Sequence, residues 1–192
     1  AEAAGGVHTE LITLAGKEIR DCRHCNWCIK RQIEGKFCVQ DDDMAEIFPK
    51  VLEADGLILA SPVYGGRLSG YLACFLDRFR IFGHGNLYGG KLRNKVGGAM
   101  AVSWFRNYGI ETTLVNIVLT YIGFGMIPVG PQLGFGALGG AGGLSSEGGA
   151  GRFKPEERLG ILKDEYGLQG ARSLGQRVVE VTKLLQTKGS ER

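Results

Sequence analysis

No apolar run in this 192-residue chain reaches the length that a bilayer span needs. The longest candidate, Thr113 to Met126, is broken by Asn116, Thr120 and glycines, so a transmembrane helix is not expected. The chain opens without a basic segment followed by an apolar one, so no secretory leader is expected and the expected compartment is the cytoplasm. Basic residues number 23 against 20 acidic, and none of the Lys/Arg residues are clustered. A nucleic-acid binder needs a concentrated basic stripe, so that class is set aside. Nor is there an evident acid–base triad. With 44% hydrophobic and 22% charged residues, the composition is that of an ordered globular chain.

Glycine, by contrast, is abundant, at 32 residues. Much of it falls in residues 130–151, which show neither a G-X-Y period nor a repeat and read as a long surface loop. Elsewhere apolar periodicity places short strands at Thr9–Leu14, Leu57–Ala60, Lys95–Ser103 and Met126–Val129. Helices are expected from Asp42 or Asp43 to Ala54, over Gly70–Phe82, over Ile110–Phe124 and over Leu168–Leu185. Strands that alternate with helices and look apolar on both faces imply a parallel sheet covered on both sides, within one α/β domain over residues 1–192. Residues 1–6 look like the last turn of a helix. The expectation is therefore that a first strand and its phosphate-binding turn are missing from this chain.

Four of the five cysteines fall within 17 residues, as Cys22-x2-Cys25-x2-Cys28-x9-Cys38. Disulfides are poorly served by this spacing. Four convergent thiolates suit zinc or an iron–sulfur cluster. Structural zinc usually takes two separated C-x2-C pairs, whereas a triple run with a distal fourth is the iron–sulfur style. Unligated thiols are the bland alternative. His24, between two cysteines, is either a polar loop residue or a partner of the bound group. Cys74 reads as a buried small hydrophobe.

In an open parallel sheet, ligands bind beyond the carboxyl ends of the strands. Two segments there are distinctive. One is Ser61-Pro62-Val63-Tyr64-Gly65-Gly66, read as a turn held by its proline. The other runs Ser103-Trp104-Phe105-Arg106-Asn107-Tyr108-Gly109-Ile110-Glu111, with three aromatics that need a cover. A flat aromatic ligand or a partner subunit would supply one. The carboxylate of Glu111 also suits a helix start.

These residues carry a resemblance. Ser61 to Arg78 resembles the SPVY…DR segment of flavodoxin-like FMN reductases. The cysteine run followed by Asp41-Asp42-Asp43-Met44 resembles the iron–sulfur flavoproteins of that group, as do Arg106…Gly109…Glu111-Thr112-Thr113, Pro131-Gln132-Leu133-Gly134 and Gly170–Gly175. The resemblance implies a flavodoxin-like doubly wound sheet, one FMN and one [4Fe–4S] cluster per subunit. It also implies a homo-oligomer (dimer or tetramer) and a ferredoxin-like electron donor. By position, Ser61, Pro62, Val63, Tyr64, Gly65 and Gly66 would meet the ribityl chain and ring. Ser103, Trp104, Arg106, Asn107, Tyr108, Gly109 and Glu111 would border the ring. Cys22, Cys25, Cys28 and Cys38 would hold the cluster, although the gap before Cys38 is longer than in the resembling proteins. The rival expectations are a cluster-free NAD(P)H-dependent FMN or quinone reductase and a non-catalytic redox-sensing or scaffold subunit.

Overall fold

The computed structural model describes residues 1–132, 139–152, 154–156 and 159–189. Its centre is strand β3 (Val96–Ser103), which runs parallel to β1 (Gly56–Tyr64) in a register that pairs Gly56 with Val96 and Pro62 with Val102. On its other side β3 pairs first with β4 (Ile127–Val129) and then with β5 (Ala141–Leu144). β4 and β5 are thus two pieces of one line along β3. The short β2 (Arg67–Leu68) folds back antiparallel on the end of β1.

Two adjacent glycines of β3 show how the sheet is covered. Successive strand residues face opposite sides. A Cβ on Gly97 would lie 2.6 Å from the ring of Tyr121, in helix α5 (Ile110–Gly123). A Cβ on Gly98 would lie 2.9 Å from Val178, in α6 (Glu165–Gly189). The two helices therefore lie on opposite faces, and the mostly parallel sheet is doubly wound. The glycines do not weaken the strand; they let both helices close on it. Burial pushes the Tyr121 hydroxyl up from its ordinary pKa. It accepts from the Leu59 N–H at 3.1 Å and donates to the Gly98 carbonyl at 2.9 Å.

The main core lies on the α5 side. There α2 (Met44–Glu53) buries Met44, Ile47, Phe48 and Val51, and α3 (Gly70–Asp77) buries Leu72 and Phe75. The short α4 (Arg80–His84) adds Ile81 and Phe82. Phe37, Phe48, Phe79 and Phe82 meet ring to ring. In α6 the inward positions include Leu174 and Val178, as its apolar spacing predicts.

Several expectations need correction. Thr9–Leu14 is extended but not a strand: no ladder partner pairs with it among the described residues, and Leu11 is 96% exposed. The first strand does not stop at Ser61-Pro62. It runs on to Tyr64 and turns at Gly65-Gly66, both with positive φ. The strand is not fully buried either, since Ala60, Pro62 and Tyr64 are exposed. The helix expected over Gly70–Phe82 divides into α3 and α4, with i→i+3 bonds tightening it at Phe79 and Phe82. Of the two candidate caps of α2, Asp42 accepts the Met44 N–H at 3.3 Å, whereas the Asp43 side chain accepts the Glu18 N–H at 2.7 Å. The glycine-rich stretch is not one surface loop, because it contains β5 and a 3-10 turn at Glu147–Gly149. Its residues 133–138, and with them Leu133 and Gly134, lie outside the described residues.

Candidate functional site

The cysteine loop begins after Ile19, which is buried, and bends twice through left-handed backbone, at His24 (φ 52°) and Asn26 (φ 59°). A single helical turn, α1 (Trp27–Lys30), then carries Cys28 inward. The chain returns through Gly35 to Phe37 and Cys38, with the ring of Phe37 stacked between Phe48 and Tyr88. Cys22, Cys25, Cys28 and Cys38 all line one small cavity that is partly open to solvent. The long spacer before Cys38 thus does not keep it from the other three. All five cysteines are free thiols. Among the described residues, no group of three or more His, Cys, Asp or Glu side chains is placed to hold a metal ion. His24 is exposed and takes no part in the lining. Cys74 is half-buried and also lies outside it.

A buried ion pair fastens this loop to the core. Arg78 and Asp42 have side chains only 1% and 0% exposed. Arg78 Nη1 donates to Asp42 Oδ2 at 2.5 Å and to the Arg20 carbonyl at 3.0 Å, and Nη2 donates to Asp42 Oδ1 at 3.2 Å. Asp42 also accepts the Arg20 N–H at 3.2 Å. Two residues before Cys22, the chain is therefore pinned to both α2 and the end of α3. Burial pushes the Cys28 thiol up from its ordinary pKa. Arg80 pulls the other way, and Cys38, Cys22 and Cys25 add to the rise.

The cavity also has polar walls without partners. Four buried side-chain atoms among the described residues make no hydrogen bond: Gln40 Oε1, Arg78 Nε, Arg80 Nη1 and Thr113 Oγ1. The first three belong to residues that line the cysteine cavity. Arg80 and Gln40 carry no signal in the sequence, and Arg78 stands out there as the end of the SPVY…DR segment. It also follows Phe75 by three positions, on the face that buries Phe75 and Phe82.

The second set of candidates gathers at the carboxyl ends of β1 and β3. Ser61 is buried, and its hydroxyl accepts the Ser69 N–H at 2.9 Å while donating to the Pro62 carbonyl at 2.8 Å. Ser69 in turn caps α3 by accepting the Leu72 N–H at 3.3 Å. Ser103 is also buried. Its hydroxyl accepts the Phe105 N–H at 3.3 Å and donates to the Tyr108 carbonyl at 3.2 Å. The two loops touch backbone to backbone at Gly66 and Gly109. Gly109 has φ +83°, and a Cβ there would lie 2.4 Å from the Gly66 carbonyl oxygen. Around this contact Tyr64, Trp104, Phe105 and Tyr108 are exposed. Asn107 has φ 56°, and Glu111 sits exposed in the first turn of α5.

Arg106 does not point freely over these aromatics. Its Nε and Nη2 donate to the Gly148 carbonyl at 3.0 and 2.9 Å, and its N–H donates to the Gly149 carbonyl at 2.8 Å. Ser146 Oγ donates to the Trp104 carbonyl and accepts the Gly151 N–H. The segment after β5 is therefore a third wall of this site, which the sequence reading took for a loose loop. Helix α3 joins the two candidate regions. Its N-cap Ser69 is bonded to Ser61, and its C-cap Arg78 lines the cysteine cavity. Eight residues at 1.5 Å each give a helix axis of about 12 Å.

A family model described as NADPH-dependent FMN reductase matches residues 1–138. An iron–sulfur flavoprotein of Methanocaldococcus jannaschii is 41% identical over 186 residues, covering 97% of this chain and 86% of its own. Another, of Methanosarcina thermophila, is 32% identical over 181 residues, covering 94% of this chain and 82% of its own. Among solved structures, a flavodoxin, WrbA-like protein from Agrobacterium tumefaciens aligns with a TM-score of 0.54 at 23% identity. That alignment covers 80% of this chain and 78% of the other, and is a likeness of fold.

Proposed function

The chain belongs to the NADPH-dependent FMN reductase family, among its iron–sulfur flavoproteins, and is an FMN-dependent oxidoreductase; from that premise we propose that it passes electrons between a low-potential, ferredoxin-like donor and an acceptor at the flavin, with a [4Fe–4S] cluster on Cys22, Cys25, Cys28 and Cys38. The observation that carries the cluster half is the cavity itself: it is lined by four cysteines with free thiols and by two arginines that each keep a buried guanidinium nitrogen without a partner. This donor set fits an anionic, sulfur-rich group. When bound, the cluster supplies single-electron transfer and FMN supplies both one- and two-electron chemistry.

The chain's own residues do the placing. Asp42 and Arg78 hold the cysteine loop on the core. Gly66 and Gly109 bring the two strand-end loops into contact, and their missing side chains leave the cradle open. Tyr64, Trp104 and Tyr108 offer aromatic faces to a flat ring, and the ring covers them in return. Ser61 and Ser103 have their hydroxyls engaged by the protein, so their part is to shape the loops. Pro62, Val63, Gly65, Asn107 and Glu111 complete the proposed border of the flavin. Arg106 acts through the Gly148 carbonyl, closing the third wall.

The partners we assign are the ferredoxin-like donor and further copies of this chain, as a dimer or tetramer. Val115, Leu119 and Ile122 are exposed at i, i+4 and i+7 on α5, an apolar stripe suited to such packing. No helix among the described residues is long and apolar enough to cross a membrane. A cytoplasmic place is part of the same proposal.

The test is anaerobic reconstitution with iron and sulfide, followed by metal and flavin analysis and assay with reduced ferredoxin. The expected result is about four iron per chain, flavin in equal amount to protein, and ferredoxin oxidation dependent on both. The family's description favours a second reading, a cluster-free reductase fed by NADPH. Rapid NADPH oxidation by iron-free protein, without ferredoxin, would establish that reading instead.

A further inference from the structure

We propose that Arg78 Nε–H and Arg80 Nη1–H donate hydrogen bonds to sulfur atoms of the anionic cluster in the cysteine cavity, and that Arg80 in particular sets its reduction potential. This rests on the cluster assignment made above.

Buried N–H groups are nearly always paired in native proteins. Leaving one unmade costs about 1–3 kcal/mol, and more for a charged group. Two such donors on two arginines of one cavity wall point to an acceptor that both are built to meet. The remaining guanidinium contacts fix where they stand. Both Nη atoms of Arg78 are held by Asp42, and Nη1 also by the Arg20 carbonyl, which leaves Nε over. Arg80 Nη2 donates to Asn26 Oδ1 at 2.7 Å, which leaves Nη1 over. Each donor is thus held in place before any ligand arrives. Gln40 does not share this role: its Nε2 donates to the Asp21 carbonyl at 2.9 Å, so the atom left over is an acceptor.

The two arginines differ in charge balance. Arg78 is paired with Asp42, so its positive charge is offset. Arg80 is bonded to the neutral Asn26, so its charge is available to the cavity. Hydrogen bonds to sulfur and nearby net charge both govern cluster potential. Reduction adds negative charge, which a fixed guanidinium stabilises. Arg80 therefore raises the potential.

The experiment is a dithionite titration of the reconstituted protein, followed by electron paramagnetic resonance, on wild type, Arg80→Gln, Arg80→Lys and Arg31→Gln. Arg31 is exposed and outside the cavity lining, so its variant measures the effect of a charge lost to solvent. Iron content and circular dichroism accompany each sample. The expected result is a midpoint shifted to more negative values in Arg80→Gln. Arg80→Lys should shift less, because it keeps the charge and loses the fork. Arg31→Gln should stay near wild type. An Arg80→Gln midpoint equal to wild type, or moved no further than that of Arg31→Gln, overturns the proposal while leaving the cluster assignment intact. A wild-type protein that takes up no iron overturns both.

Discussion

The cysteine cavity and the strand-end loops are built on opposite principles. In the cavity, a buried ion pair fixes the frame while several polar atoms inside are left without partners. In the strand-end loops, the side chains of Ser61, Ser103 and Arg106 bond within the protein, and Tyr64, Trp104, Phe105 and Tyr108 are exposed. The first region therefore asks for a charged, polarizable occupant, and the second for a flat apolar one. The proposed function places one redox group in each region, and α3 spans the gap between them.

The comparison breaks most visibly at the thiols. Cys25→Ser removes an exposed side chain, so the apo fold should keep its stability within about 0.5 kcal/mol. Iron should nevertheless fall from about four per chain toward none, with flavin retained, as metal and flavin analysis will read. If flavin is lost in parallel, the two regions are one site rather than two.

Next in size is the frame of the cavity. Asp42→Asn leaves Arg78 buried without its counter-charge, and removal of one member of such a pair costs about 3–5 kcal/mol. Urea denaturation of the apo protein should show a loss of that order. A loss below about 1 kcal/mol would mean that the pair behaves like a surface contact and does not hold the loop.

The strand-end loops should respond more mildly in stability and more strongly in flavin affinity. Gly109→Ala forces a Cβ against the Gly66 carbonyl at positive φ, for a cost of about 1–3 kcal/mol. Its flavin should dissociate more readily while its iron content stays normal. Smallest is Tyr64→Ala. Tyr64 is 66% exposed, so stability should change by less than about 0.5 kcal/mol. The dissociation constant for flavin should rise about tenfold, the equivalent of about 1.4 kcal/mol. Equal effects of Tyr64→Ala on flavin and iron would erase the distinction between the regions.

How much of this was legible from sequence differs between the two regions for physical reasons. The cysteine spacing is local, so the quartet announces itself, and the structure gathers the same four side chains. Arg78 and Arg80 are far from them in sequence, whereas Asp42 follows Cys38 by four positions. Arg78 closes the SPVY…DR segment and sits as a charge on a buried helix face, and only packing shows what it faces. For the fold, long apolar periods were readable: α5, α6 and β3 lie where their spacing predicts, to within a few residues. Short ladders were not. β2 is two residues long, and β5 is the glycine-containing AGGL, whose pairing with β3 decides its conformation. Thr9–Leu14 shows the converse, alternating like a strand without a ladder partner among the described residues. Proline after Ser61 looks like a stop in sequence, whereas β1 runs through it to Tyr64.

The central claim is that the four thiols share one iron–sulfur group. Electron paramagnetic resonance of the anaerobically reduced protein, with iron and acid-labile sulfide counted on the same sample, tests it most directly. The account predicts a reduced-cluster signal of close to one spin per chain, lost in Cys25→Ser and Cys38→Ser alike. A spectrum without that signal, from protein that carries zinc or no metal while its flavin is fully bound, would contradict it.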